Sequence, residues 1–141
     1  MSTFYEYFKE NMDALGLPAP ESLFGSLSAA AGTATTLLSQ IDKFGKNVTL
    51  GELVGAGTGL EKLAVMGALS AAYYVGAVIG SIAVASGRSL SGGTSISDVL
   101  SMARTHNLER QWLSASLIRF PGVYSPDAPG KQHYRAAMVV V

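Results

Sequence analysis

The chain has no cysteine among its 141 residues. That excludes disulfides, thiol catalysis and cysteine-based zinc sites, and it allows passage between reducing and oxidising compartments. Charge is also scarce: Asp, Glu, Lys and Arg make up 14% of the chain, against about 25% in an ordinary soluble domain. The few charges form no dense basic cluster, so nucleic acid is not an expected partner. The beginning of the chain, MSTFYEYFKENMDALG, lacks the features of a signal peptide. Its early charges are mostly acidic and no apolar core follows closely. If the protein is exported, it leaves by another route.

Catalytic and metal-binding constellations are missing as well. His106 and His133 stand apart, with no carboxylate cluster at ligand spacing, so no metal or other cofactor is expected. Gly55-Ala-Gly57-Thr-Gly59 has neither the third glycine at the right offset nor a preceding strand, so it is not a dinucleotide loop. No P-loop and no nucleophile elbow is present. Asn47-Val48-Thr49 matches the glycosylation triplet, a frequent chance match. The chain does not read as an enzyme.

What the sequence does have is a long apolar run. Leu63 to Gly87 contains 25 uncharged residues between Lys62 and Arg88. As one helix it would measure roughly 37 Å, enough to cross the ~30 Å hydrocarbon core of a bilayer with some tilt. Ala64, Ala68, Ala72, Gly76 and Gly80 recur at every fourth position, and Gly51, Gly55 and Gly59 form a second row at that interval. In lipid, helices associate by close van der Waals contact, which small residues allow. The packing and pore-assembly candidates are therefore Gly51, Gly55, Gly59, Ala68, Ala72, Gly76 and Gly80. Tyr73 and Tyr74, mid-span, are expected to face a partner helix or a lumen, because interfacial rings normally sit at the span's ends.

Three regions follow. Residues 1–21 form an amphipathic N-terminal helix over 3–15 and a proline turn. Its face of Phe4, Tyr5, Phe8, Met12 and Leu15 suits a membrane interface or ordinary core packing. Residues 22–87 form an apolar helical hairpin, the membrane-inserting region. Its first arm, 22–41, is rich in Ser, Thr and Ala, and it fits a partner helix, a watery lumen or a soluble bundle. Thr49 and Glu52 have the spacing of a capping box, starting a helix that runs into the apolar span or a flexible glycine linker. Residues 88–141 form a C-terminal helix, amphipathic over 96–120 with a break near His106-Asn107, and an irregular tail. The tail ends in AAMVVV, which suits strand pairing or burial equally. The fold class is mainly α.

The two glycine rows, carried by Gly51, Gly55, Gly59, Ala72, Gly76 and Gly80, and the small, cysteine-free chain resemble the small pore-forming effectors of bacterial type VI secretion, of the tube-carried kind in Pseudomonas. The resemblance covers about half the chain. It implies an antibacterial toxin secreted from the cytoplasm inside a hexameric tube protein. Such a toxin would insert into the target cell's inner membrane, self-assemble in that bilayer into an ion-conducting pore, and be countered in the producer by a membrane immunity protein. Two other readings stand beside it: a resident small membrane protein of holin or structural-subunit type, and a soluble helical interaction module.

Overall fold

A computed structural model of the chain describes residues 4–45, 47–55, 67–86, 96–120 and 123–124. Seven helices lie among them: α1 (Phe4–Ala14), α2 (Glu21–Phe24), α3 (Leu27–Phe44), α4 (Leu50–Gly55), α5 (Ala71–Ser86), α6 (Ile96–Thr105) and α7 (Leu113–Arg119). No strand occurs among the described residues, so the mainly α class holds.

Local chemistry sets the ends of most helices. Gly16, at φ 73°, closes α1. Its N–H donates to the Asp13 carbonyl at 2.9 Å, and the Leu17 N–H donates to that of Met12 at 3.0 Å. This is a Schellman closure, with Met12 and Leu17 both buried beneath it. Asn107, at φ 60°, ends α6 in the same way: Leu108 N–H reaches the Ala103 carbonyl at 2.7 Å and Asn107 N–H reaches that of Arg104 at 3.2 Å. The expected break at His106-Asn107 is therefore a left-handed cap. Thr49 and Glu52 complete the expected capping box. The Glu52 N–H donates to Thr49 Oγ1, and the Thr49 N–H donates to Glu52 Oε1, both at 3.2 Å. The expected 22–41 arm is divided at Gly25-Ser26, because Ser26 Oγ accepts from Ala29 N–H at 3.1 Å and starts α3 afresh.

The 63–87 run is not one helix, which corrects the sequence expectation. Residues 67–68 form a turn, and Thr49 pairs with Ser70 in an isolated antiparallel bridge. Three backbone bonds hold this fold-back: Leu50 N–H to Leu69 O at 2.9 Å, Gly51 N–H to Gly67 O at 2.9 Å, and Ala71 N–H to Val48 O at 3.0 Å. A chain paired across in this way cannot also continue an α-helix, so α5 starts at Ala71. Ser70 Oγ accepts from Tyr73 N–H at 3.2 Å, and its carbonyl accepts from Tyr74 N–H at 3.1 Å. At 16 residues, α5 is about 24 Å long. Among the described residues no helix is long and apolar enough to cross a membrane.

Helix α5 is the axis of the molecule. Every residue from Tyr73 to Ala85 is buried, and α1 and α3 cover it most extensively, with α6 and α7 on its remaining sides. A helix apolar all round must be enclosed, because it has no face suited to water. The covering helices are amphipathic. Phe8, Met12 and Leu15 turn inward from the α1 segment, and Ala30, Ala34, Leu37, Leu38 and Ile41 do so from α3. The aromatic face of α1 thus serves core packing in this form. Phe8 stacks on Phe24 with centroids 4.9 Å apart, and Phe24 meets Tyr74 at 6.4 Å.

Burial, not surface charge, dominates the energetics. Each fully enclosed Val or Ile of α5 contributes about 1.5–3 kcal/mol. The fork between Arg110 and Asp42, with Nη2 to Oδ2 at 2.8 Å, is half in solvent and contributes at most about 1 kcal/mol. The 2.7 Å pair of Lys9 and Asp13 raises the Lys9 pKa through its hydrogen bond, but both side chains are exposed and the pair adds little.

Candidate functional site

The sequence candidates do not form one stripe. Ala68 lies exposed in the turn before α5, and Ala72 sits half-buried in the first turn of α5. Gly76 and Gly80 follow on the buried helix. A methyl group on Gly76 would lie 3.3 Å from Ser116 Oγ of α7, and one on Gly80 would collide with the carbonyl group of Val123. These two glycines therefore already have intramolecular partners: α7 fits against the first and the backbone at Val123 against the second.

Gly51 belongs to a different contact. It lies in α4, and a Cβ there would stand 3.0 Å from the Gly67 carbonyl oxygen. The small residue lets the two backbones meet at the fold-back. Gly55 is the last described residue of α4, and Gly59 lies outside the described residues, as does Ala64. The second row is thus described only at its beginning, where it serves the fold-back that precedes α5.

The structure adds a polar node that the sequence reading missed. Asn11 of α1 is buried, and its Nδ2 donates to Ser81 Oγ at 2.8 Å and to the Val123 carbonyl at 2.9 Å. One side chain thereby joins the N-terminal helix, the middle of α5 and the segment after α7. A signal was present: Asn11 is three residues after Phe8 and four before Leu15, on the apolar face of α1. A polar residue there needs a partner inside the core. Gly80 and Ser81 are adjacent, so the close approach of Val123 and its hydrogen bond arise from one piece of geometry.

The two tyrosines are core residues here. Tyr74 donates from its hydroxyl to the Pro18 carbonyl at 2.6 Å, fastening α5 to the turn after α1. Tyr73 meets Phe120 edge-on at 5.0 Å. The expectation was a partner helix or a lumen; these two neighbours are instead a turn and the residue that follows α7, both of the same chain.

Beside the first turn of α5 lies an open cleft of about 310 Å³, lined by Asn47, Ser70, Ala72, Tyr73, Trp112, Ala115, Ser116, Arg119 and Phe120. Its described lining has no acidic residue and one cation. Among the described residues no group of three or more His, Cys, Asp or Glu is placed to hold a metal ion. No protein-family profile matches the chain, and comparisons with curated proteins and with solved structures return no match.

Proposed function

We propose that the described fold is the stored form of a membrane-inserting protein, and that its function is to release α5 into a bilayer and conduct ions as an oligomer. The observation that carries this reading is the placement of α5. The most apolar helix is enclosed along 13 consecutive residues, Tyr73 to Ala85, by amphipathic helices that can each present an apolar face to something else. In lipid, α5 needs no such cover.

Insertion requires more length. Breaking the three hydrogen bonds between 48–51 and 67–71 frees α5 to extend back along the uncharged run to Leu63. A helix from 63 to 86 is about 36 Å long, which spans the hydrocarbon core. Extension returns Ala68 to the row with Ala72, Gly76 and Gly80. Leaving the shell frees the last two for a neighbouring copy, with the right-handed crossing that small-xxx-small rows favour. Delivery of this stored form inside a hexameric secretion tube, action at a competitor's inner membrane, and a membrane immunity partner in the producer complete the proposal.

A second reading, a soluble helical interaction module, is favoured by one observation: α5 is already enclosed by α1, α3, α6 and α7 of the same chain. Directing the chain to the periplasm and following a potential-sensitive dye separates the two. The pore reading expects rapid depolarisation, and none when the chain is retained in the cytoplasm. A folded chain shown to reach the periplasm without depolarising the cell favours the module. Stable residence in the membrane without loss of potential favours a resident membrane protein.

A further inference from the structure

We propose that the cleft between the first turn of α5 and α7 is a docking site for the phosphate headgroup of an anionic lipid. The inference takes its partner from the membrane reading above and names the contact made before insertion.

The cleft joins an apolar wall to a cation. Tyr73, Trp112 and Phe120 supply aromatic surface, and Arg119 supplies the one formal charge among the described lining residues. The described arginines elsewhere are engaged: Arg104 with Glu109 at 2.9 Å and Arg110 with Asp42 at 2.8 Å. Among the described residues Arg119 has no carboxylate partner, and its guanidinium lies over the Phe120 ring, 5.0 Å from the centroid. A guanidinium beside a ring keeps N–H donors for an anion, and its fork suits the geometry of a phosphate.

The surroundings favour a lipid over a free ion. Trp112 is half-buried at the rim, in the amphipathic position that tryptophan takes at membrane interfaces. Ile118, next to Arg119, is 69% exposed. Phosphate on Arg119 would leave acyl carbons against Trp112, with Ile118 exposed on the adjoining face of α7. The cleft also borders Ser70, half of the bridge that precedes α5, so the bilayer would be met where extension of α5 begins.

Trp112 is the only tryptophan in the chain, so its fluorescence reports this cleft alone. The test mixes the full-length protein with vesicles of brominated phosphatidylglycerol, vesicles of brominated phosphatidylcholine, or inorganic phosphate, and records ion release in parallel. Expected are saturable quenching by the phosphatidylglycerol vesicles, weaker binding to phosphatidylcholine, and about a fivefold loss of affinity in Arg119→Gln. Added salt should weaken binding by the wild type more than by the variant. Absent quenching, or equal affinity of wild type and Arg119→Gln, overturns the proposal. So does a saturable response to inorganic phosphate that vesicles fail to reproduce. Quenching without ion release keeps the docking site and counts against the pore reading. Ion release that ignores Arg119→Gln, without quenching, does the reverse.

Discussion

Gly80→Ala should lower the stability of the folded chain by about 1–3 kcal/mol, while Gly76→Ala should leave it unchanged or raise it by up to about 1 kcal/mol. Both substitutions gain helix propensity, worth about 1 kcal/mol against glycine. They differ in what the new methyl meets. At Gly76 the neighbour is a hydroxyl, Ser116 Oγ at 3.3 Å, which turns aside at little cost. At Gly80 the neighbours are the Val123 carbonyl group, with its carbon at 2.9 Å, and Val123 Cγ2 at 3.0 Å. Backbone must move, and it takes with it the oxygen that Asn11 holds at 2.9 Å. Overpacking costs about 1–3 kcal/mol, and the strained hydrogen bond adds about 1 kcal/mol more. Urea unfolding of the two variants measures the difference directly. Equal stabilities would show that Val123 does not lie against Gly80.

Asn11→Ala should cost about 2–4 kcal/mol, more than Ser81→Ala, which should cost about 1 kcal/mol or less. Removing the Asn11 amide strands the Val123 carbonyl among apolar side chains and leaves a void. Ser81 can turn its hydroxyl to the carbonyl one helical turn back, so it does not add a second orphan. In Ser81→Ala the amide of Asn11 keeps Val123. Calorimetric or urea midpoints check this order. The function proposed adds a second expectation, that vesicle permeabilisation by Asn11→Ala is faster than by wild type. A shell that holds α5 less firmly should release it more readily, so stability and activity run in opposite directions. A variant that is less stable and also slower to permeabilise would break that relation.

These expectations depend on features that the sequence revealed unevenly. Ends written in local chemistry were readable: Gly16 after α1, the Thr49–Glu52 box, and the break at His106-Asn107. Helix α3 packs on α5, but so do α1, α6 and α7, and periodicity alone did not order these contacts. The start of α5 was not readable either. Nothing in the run LAVMGALSAAYY opposes a continuous helix. The interruption comes from pairing with Val48 to Gly51, a contact between separated segments that no local pattern records. The glycine rows show the same limit. Gly76 and Gly80 both lie close to other segments of the chain, but periodicity cannot say whether the approaching group belongs to the same chain or another copy. Asn11 was visible as a polar residue on an apolar face, whereas its partners, 70 and 112 residues away, were not.

The absence of native cysteine makes the decisive measurement clean. A Cβ on Gly76 would lie 3.3 Å from Ser116 Oγ, a separation compatible with a disulfide between the two positions. Gly76→Cys/Ser116→Cys should therefore oxidise to a single bond that ties α5 to α7. The measurement is ion release from anionic vesicles by this double variant, oxidised and then reduced, with wild type and Gly76→Cys as controls. Release of α5 from its shell as the step that permeabilises a membrane predicts an inert oxidised protein that becomes active on reduction, while wild type ignores the reductant. Equal release by the oxidised and reduced forms would contradict that account, and so would a wild type that releases no ions at all.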